Sequence, residues 1–205
     1  MTILSNVAGA TFSWTATPSS ANIIGWGPGT GTLIDQMLTN TGFASENVTY
    51  HITPTANGCT GTVYDFVATV VSQPDVYFNP AAPTICDGEN TNVQVLSHVT
   101  SATFTWTALG SSPNVSGYAD GSGPLIDQTI SNSGITVETV TYTATPVAFG
   151  CPGGVPDDVV VTVNPTSYIT VNPLSQSICS ESATNIPLTS TVTGTTFAWT
   201  ATPSS

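Results

Sequence analysis

Hydrophobic and polar residues take turns along this chain in short blocks with a period of two. In Thr103-Phe-Thr-Trp-Thr-Ala108 the apolar Phe104, Trp106 and Ala108 fall on one side and the threonines on the other. Val140, Tyr142 and Ala144 repeat the arrangement further on, as do Val159, Val161 and Val163. Alternation of this kind marks a strand with one buried face, because successive side chains of an extended backbone point to opposite sides. Clusters of Gly, Pro, Asn and Ser separate the blocks and place turns between them. The pattern predicts strands near residues 75–79, 92–97, 102–108, 125–130, 139–145 and 158–163, with a further one near 115–119. The three apolar faces can close on a single core, so the expected class is all-β, a sandwich of two packed sheets.

The whole pattern then recurs. Thr11-Phe-Ser-Trp-Thr-Ala16 returns as Thr103-Phe-Thr-Trp-Thr-Ala108 and as Thr196-Phe-Ala-Trp-Thr-Ala201, so that Trp14, Trp106 and Trp199 stand 92 and 93 residues apart. In the same phase Leu33-Ile-Asp-Gln36 matches Leu125-Ile-Asp-Gln128, Val48-Thr-Tyr50 matches Val140-Thr-Tyr142, Gly58-Cys59 matches Gly150-Cys151, and Ile85-Cys86 matches Ile178-Cys179. A fixed period of about 93 residues predicts tandem repeats, each burying its own core. Residues 1–73 read as a partial repeat lacking its first strand, 74–166 as a complete one, and 167–205 as a partial repeat with N-terminal strands only. Both ends fall inside repeats, as expected of a segment from a longer array. Trp106 and Tyr142 sit where immunoglobulin-like sandwiches carry a core tryptophan and a corner tyrosine, so Trp14, Trp106, Trp199, Tyr50 and Tyr142 are the expected core aromatics. The connectors Ser72-Gln-Pro-Asp75 and Asn164-Pro-Thr-Ser167 are short, and proline stiffens them, which predicts semi-rigid stacking of neighbouring repeats.

Charge narrows the partners. The 205 residues contain no Lys or Arg against 12 Asp and Glu, a formal net charge of -12. Nucleic acid is excluded, because phosphates are neutralised by cationic side chains and there are none; an anionic membrane surface is excluded for the same reason. Every carboxylate must be solvated, accept hydrogen bonds or hold a cation. No apolar run is long enough to insert in a membrane, and trypsin-like proteases find no site to cut. These properties point to an extracellular, cell-surface setting.

Chemistry-bearing residues are sparse. His51 aligns with Thr143 and His98 with Thr191, so neither histidine recurs and neither is expected to be catalytic. Asp157, Asp158, Asp75 and Asp120 are the calcium candidates, although no Asp-x-Asp-x-Asp-Gly loop is present; no other cofactor is expected. The glycine-rich loops Gly25–Gly31 and Gly117–Gly123 lack the lysine of a phosphate-binding loop and precede strands, which excludes that role. They carry Trp26 and Tyr118 as candidate exposed aromatics, and Asn47-Val-Thr49 and Asn114-Val-Ser116 match the N-glycosylation sequon.

Taken in order, Thr-Phe-x-Trp-Thr-Ala, Val-Thr-Tyr, Thr53-Pro54, Gly58-Cys-Thr-Gly61, a valine-rich strand and Ile-Cys resemble the PKD-like, immunoglobulin-like repeats of Bacteroidota surface proteins, the SprB-like gliding adhesins among them. The resemblance implies tandem immunoglobulin-like/PKD-like β-sandwich repeats in a secreted, outer-membrane-associated filament used in gliding motility or attachment. Its partners would be neighbouring repeats, other copies in a filament, surface polysaccharide or the motility machinery. A spacer or carbohydrate-binding module of a secreted hydrolase and a self-assembling surface layer or sheath are the alternatives. Cys59, Cys86, Cys151 and Cys179 occupy two repeating positions and are disulfide candidates. In an immunoglobulin topology Cys86 falls in the loop between the first two strands and Cys151 in the loop between the last two, at opposite poles. A bridge from one repeat to the next and a bridge within one repeat are both open.

Overall fold

Strands account for all regular secondary structure of the computed structural model, which describes residues 2–150 and 154–203. The chain divides into two units, Met1–Val76 with Leu96–Phe104 and Thr145–Pro156, and Tyr77–Val95 with Thr105–Ala144 and Asp157–Ser205.

In the first unit β1 (Thr11–Pro18) lies between Gly29–Thr30 and β2 (Glu46–Ala56), and β2 pairs also with β3 (Tyr64–Val70), all antiparallel. The register sets Trp14 opposite Ile52, Ala16 opposite Tyr50, and Tyr50 opposite Phe66. Because side chains alternate, that register gathers Phe12, Trp14, Val48, Tyr50 and Ile52 on one face, where they pack with Ile3, Ile23 and Ile34. A slip of one residue would turn the whole set outward. Each buried side chain of this size contributes about 1.5–3 kcal/mol, which is what holds the register. The outward face is nearly all hydroxyl: Thr11, Ser13, Thr15 and Thr17 are exposed along β1, and Thr49, Thr53 and Thr55 are half-buried along β2.

The second sandwich is built on β4 (Tyr77–Asn79), β5 (Thr84–Cys86), β6 (Val93–Leu96), β7 (Thr103–Gly110), β8 (Glu138–Val147) and β9 (Asp157–Asn164). One sheet runs Gly121–Ser122, β7, β8, β9, β5; the other runs Leu125–Ile126, β6, β4. Between them lie Val93, Val95, Trp106, Val115, Ile126, Ile130, Val140, Tyr142, Val159, Val161 and Val163, all buried. Residues 77–86 change sheets: β4 pairs with β6, the chain bends through the Asn79-Pro80 segment, and β5 runs parallel to β9 with Ile85 opposite Val163 and Cys86 opposite Asn164.

Three expectations are corrected. The strand expected at 75–79 begins only at Tyr77, because Asp75 is drawn into hydrogen bonds with Ser97 and His98. The strand expected at 125–130 ends at Ile126, because Gln128 turns inward to bind a loop, and Ser131–Asn132 pairs separately with Val115–Ser116. Trp199 is 79% exposed, not a core residue. Residues 196–201 form no strand here, and within 167–203 Thr170–Val171 pairs with Leu188–Thr189.

Candidate functional site

Each glycine-rich loop wraps the edge of a tryptophan and is pinned by one glutamine. Tyr142 Oη donates to Gln128 Oε1 at 2.8 Å, the Ala119 N–H donates to the same oxygen at 2.9 Å, and Gln128 Nε2 donates to the Ala119 carbonyl at 2.9 Å. Tyr50, Gln36 and Gly27 repeat this with distances of 2.8, 3.2 and 3.0 Å. Burial pushes both tyrosine hydroxyls up from their ordinary pKa, Tyr142 to about 12. A Cβ at Gly121 would stand 2.6 Å from the Trp106 ring, so the backbone can lie on the indole only as glycine. Gly117, with φ +92, would meet the Thr129 carbonyl oxygen at 2.1 Å. Trp14 Nε1 and Trp106 Nε1 are buried without a hydrogen-bond partner. These loops therefore close the core edge. Trp26 is 38% exposed, but its Nε1 donates to the Ile23 carbonyl at 3.0 Å, which fixes the ring to its own loop.

At the end of the second sandwich from which the chain leaves, Asn132 organises the loops. Its Nδ2 donates to the Thr136 and Val163 carbonyls at 2.8 and 3.0 Å, and its N–H donates to Asp87 Oδ1 at 2.8 Å. Thr166 in the connector donates to Asp87 Oδ2 at 3.0 Å. Asn40 plays the same part in the first unit, donating to the Ala44 and Val70 carbonyls at 2.7 and 3.0 Å. Beside these asparagines, Ser19 bonds the Glu46 carboxylate, and Ser111 donates to Glu138 Oε2 at 2.5 Å. Those serine hydroxyls hold both glutamates below the ordinary carboxylate pKa.

The calcium candidates are scattered. Asp75 Oδ1 accepts from Ser97 Oγ and the His98 N–H, and its Oδ2 meets His98 Nδ1 at 2.5 Å. Burial pushes the Asp75 carboxyl up, but the bonds from His98 and Ser97 outweigh it and leave the pKa lowered. Asp120 caps the Ala108 N–H at 2.9 Å, and Asp157 binds the N–H of Asp158 at 2.9 Å. Among the described residues no group of three His, Cys, Asp or Glu could hold a metal.

His51 shows the nearest approach to catalytic geometry. Its Nδ1 meets Asp65 Oδ1 at 2.6 Å and its Nε2 meets Thr17 Oγ1 at 3.3 Å. This hydroxyl, imidazole and carboxylate lie side by side on the open outward face of β1, β2 and β3. The matching positions of the second sandwich are Leu109, Thr143 and Asp158, so the arrangement does not recur.

Cys59, Cys86 and Cys179 are exposed thiols, and Cys151 lies outside the described residues. Cys86 ends β5 beside Asn164, at the outgoing pole. Gly150 follows the far end of β8, at the other pole. With 10 residues, β8 spans about 30 Å from end to end. Sequence reasoning noted Gln36 and Gln128 only as repeat landmarks and passed over Asn40 and Asn132. Their common spacing of 92 residues was the signal that could have found them.

A family profile described as a PKD-like domain matches residues 1–74 and again residues 83–167. Among solved structures, chicken VE-cadherin EC1-2 aligns at 14% identity and TM-score 0.35 over 81% of this chain and 89% of that one. Zebrafish RET cadherin-like domains 1 to 4 align at 11% identity and TM-score 0.27 over 76% and 41%. A search of curated proteins returned no match.

Proposed function

This chain belongs to the PKD-like domain family, and from that premise we propose that it is a stalk or spacer segment of a secreted adhesin, holding a binding element away from the cell surface. The observation that carries this reading is which features the two sandwiches share. The tryptophan on glycine, the tyrosine–glutamine bond and the asparagine-bound loop are rebuilt at a 92-residue spacing, whereas the His51 group is not. What recurs is thus the means of folding a unit and continuing the chain, as a spacer requires. The absence of Lys and Arg supports a surface role, because like charge keeps neighbouring stalks from associating.

The finer assignment is to a cell-surface filament of the kind used by Bacteroidota gliding adhesins, with neighbouring repeats as its contacts. Immunogold electron microscopy of cells that make the protein, with antibody raised against residues 74–166, tests it. Label along single thin fibres outside the cell is expected. Label in regular lattices or bundles, or confined to the cell interior, would overturn the stalk reading.

A further inference from the structure

We propose that the outer edge of β3 in the first unit is a docking site for a second copy of this chain, which adds its residues 177–179 there as a parallel strand. The proposal rests on strand pairing and is independent of the adhesive role.

The first step is the edge itself. In the second sandwich β5 covers β9, with Thr162 opposite Thr84, Val163 opposite Ile85 and Asn164 opposite Cys86. The Thr162 N–H donates to the Pro83 carbonyl and the Asp87 N–H to the Asn164 carbonyl, both at 2.9 Å. Tyr50 faces Phe66 as Tyr142 faces Val159, so Thr69, Val70 and Val71 are the counterparts of Thr162, Val163 and Asn164. Among the described residues, however, β3 pairs with β2 and with no further strand. Thr69 stands opposite Asn47, whose carbonyl accepts from the Ser19 N–H at 2.8 Å and whose N–H donates to Ser19 Oγ at 2.9 Å. Both backbone groups of Asn47 are thus turned away from β3. Backbone direction alternates along a strand, so Thr69 and, two residues on, Val71 aim their N–H and C=O groups outward from the sheet edge. The apolar side of the edge is open as well: Phe66, Ala68 and Val70 are half-buried, whereas their counterparts Val159, Val161 and Val163 are fully buried. An edge of this kind is a template for one more strand.

The second step is what fits that edge. Ser177, Ile178 and Cys179 repeat Thr84, Ile85 and Cys86 of β5. The elements on either side of them are already in place. Thr170–Val171 pairs with Leu188–Thr189, as β4 pairs with β6, and the Ser182 N–H donates to the Cys179 carbonyl at 3.1 Å, as the Glu89 N–H does to the Cys86 carbonyl. Residues 177–179 themselves form no strand, and Ile178 is 45% exposed where Ile85 is 8% exposed. Laid on β3 in the register of β5, this segment sets Ile178 beside Val70, brings the Thr69 N–H to the Gln176 carbonyl and the Ser180 N–H to the Val71 carbonyl, and by the same period the Val71 N–H to the Ile178 carbonyl. Charge favours a second copy at this place above others. With a formal charge of -12 and no Lys or Arg, copies repel wherever carboxylates meet, but residues 168–180 and 66–71 contain no charged side chain.

Donor segment and acceptor edge are different surfaces of one chain, so the contact is heterologous. A dimer joined by it still holds one unused donor and one unused edge, and further copies add in series.

Sedimentation velocity of the 205-residue chain tests this, in about 0.15 M salt to screen the repulsion and with a reductant so that no cysteine bond contributes. The average mass is expected to rise with protein concentration beyond that of a dimer. Ile178→Asp puts a charge into the donor segment and is expected to stay monomeric throughout; Ile178 is exposed in the single chain, so this variant keeps its fold and decides the case by itself against the parent. Val71→Pro removes an N–H from the acceptor edge, where proline is tolerated, and is expected to be monomeric too, with near-ultraviolet circular dichroism from the buried tryptophans verifying its fold. Mixed in equal amounts, the two variants are expected to recover a dimer and to stop there, because only the edge of Ile178→Asp and the donor of Val71→Pro are intact. A parent that stays monomeric, association of either variant alone, or a mixture that stays monomeric would overturn the proposal.

Discussion

At the scale of single residues, the structure turns on a few buried polar groups and on how each is satisfied. Tyr142 is fully buried, and its hydroxyl has one partner, Gln128. Tyr142→Phe is expected to cost about 1 kcal/mol in denaturant unfolding, the usual net worth of one neutral hydrogen bond. The same substitution has a pH signature. Burial raises the folded pKa to about 12 from an ordinary 10.0, so in alkali the unfolded chain loses its proton first. Stability is then complete below pH 10 and falls between about pH 10 and about pH 12, by about 2 to 3 kcal/mol for this group. Unfolding midpoints measured across that range should fall less steeply in Tyr142→Phe than in the parent. Asp75 has the opposite sign: its lowered pKa supplies stability above its ordinary 3.8 that is lost as the pH falls through the folded value. Asp75→Asn should lower thermal stability at neutral pH and flatten its acid limb, as read by circular dichroism melts.

At the scale of elements, the long strands were legible because their alternation is unambiguous. Phe104 and Trp106 or Val159, Val161 and Val163 can share a core in only one register. The short elements were not. Thr84–Cys86 carries too few residues to show a period, and its strand character comes from the parallel partner β9, a contact that no local pattern encodes. The 125–130 block looks like a strand until Gln128 is seen to face inward, held by the Ala119 backbone and Tyr142. Of the candidate site, Gln36 and Gln128 were readable as landmarks of the repeat but not as the residues that pin the glycine-rich loops. The asparagine-centred loops were missed because a polar residue in a Ser-Asn-Ser-Gly stretch looks like an ordinary turn. Glycine in the wrapping loop offers the sharpest test at this scale. Gly117→Ala must adopt a left-handed backbone conformation and meet the Thr129 carbonyl, so a loss of about 3 kcal/mol or more is expected in equilibrium unfolding. Gly123, also at positive φ but with open space around it, should lose clearly less on the same substitution.

At the scale of the whole molecule, the formal charge of -12 has no Lys or Arg to oppose it. Repulsion among carboxylates favours the expanded chain, and mobile ions are what screen it. Raising sodium chloride from about 0.01 M to about 0.15 M, which shortens the screening length from about 30 Å to about 8 Å, is therefore expected to raise the unfolding temperature. An unchanged or lower midpoint would show that the acidic groups are too far apart to matter. The parallel pairing of β5 with β9 has a different consequence for a chain that is pulled from both ends. Tension would enter the second sandwich near its first strands and leave by Asn164, drawing β5 and β9 in opposite directions along their common axis. The bonds from Thr162 to Pro83 and from Asp87 to Asn164 would then be sheared together instead of unzipped one after another. A short ladder at the edge of a sheet thereby becomes the fastening that sets how hard the domain can be stretched before it gives way.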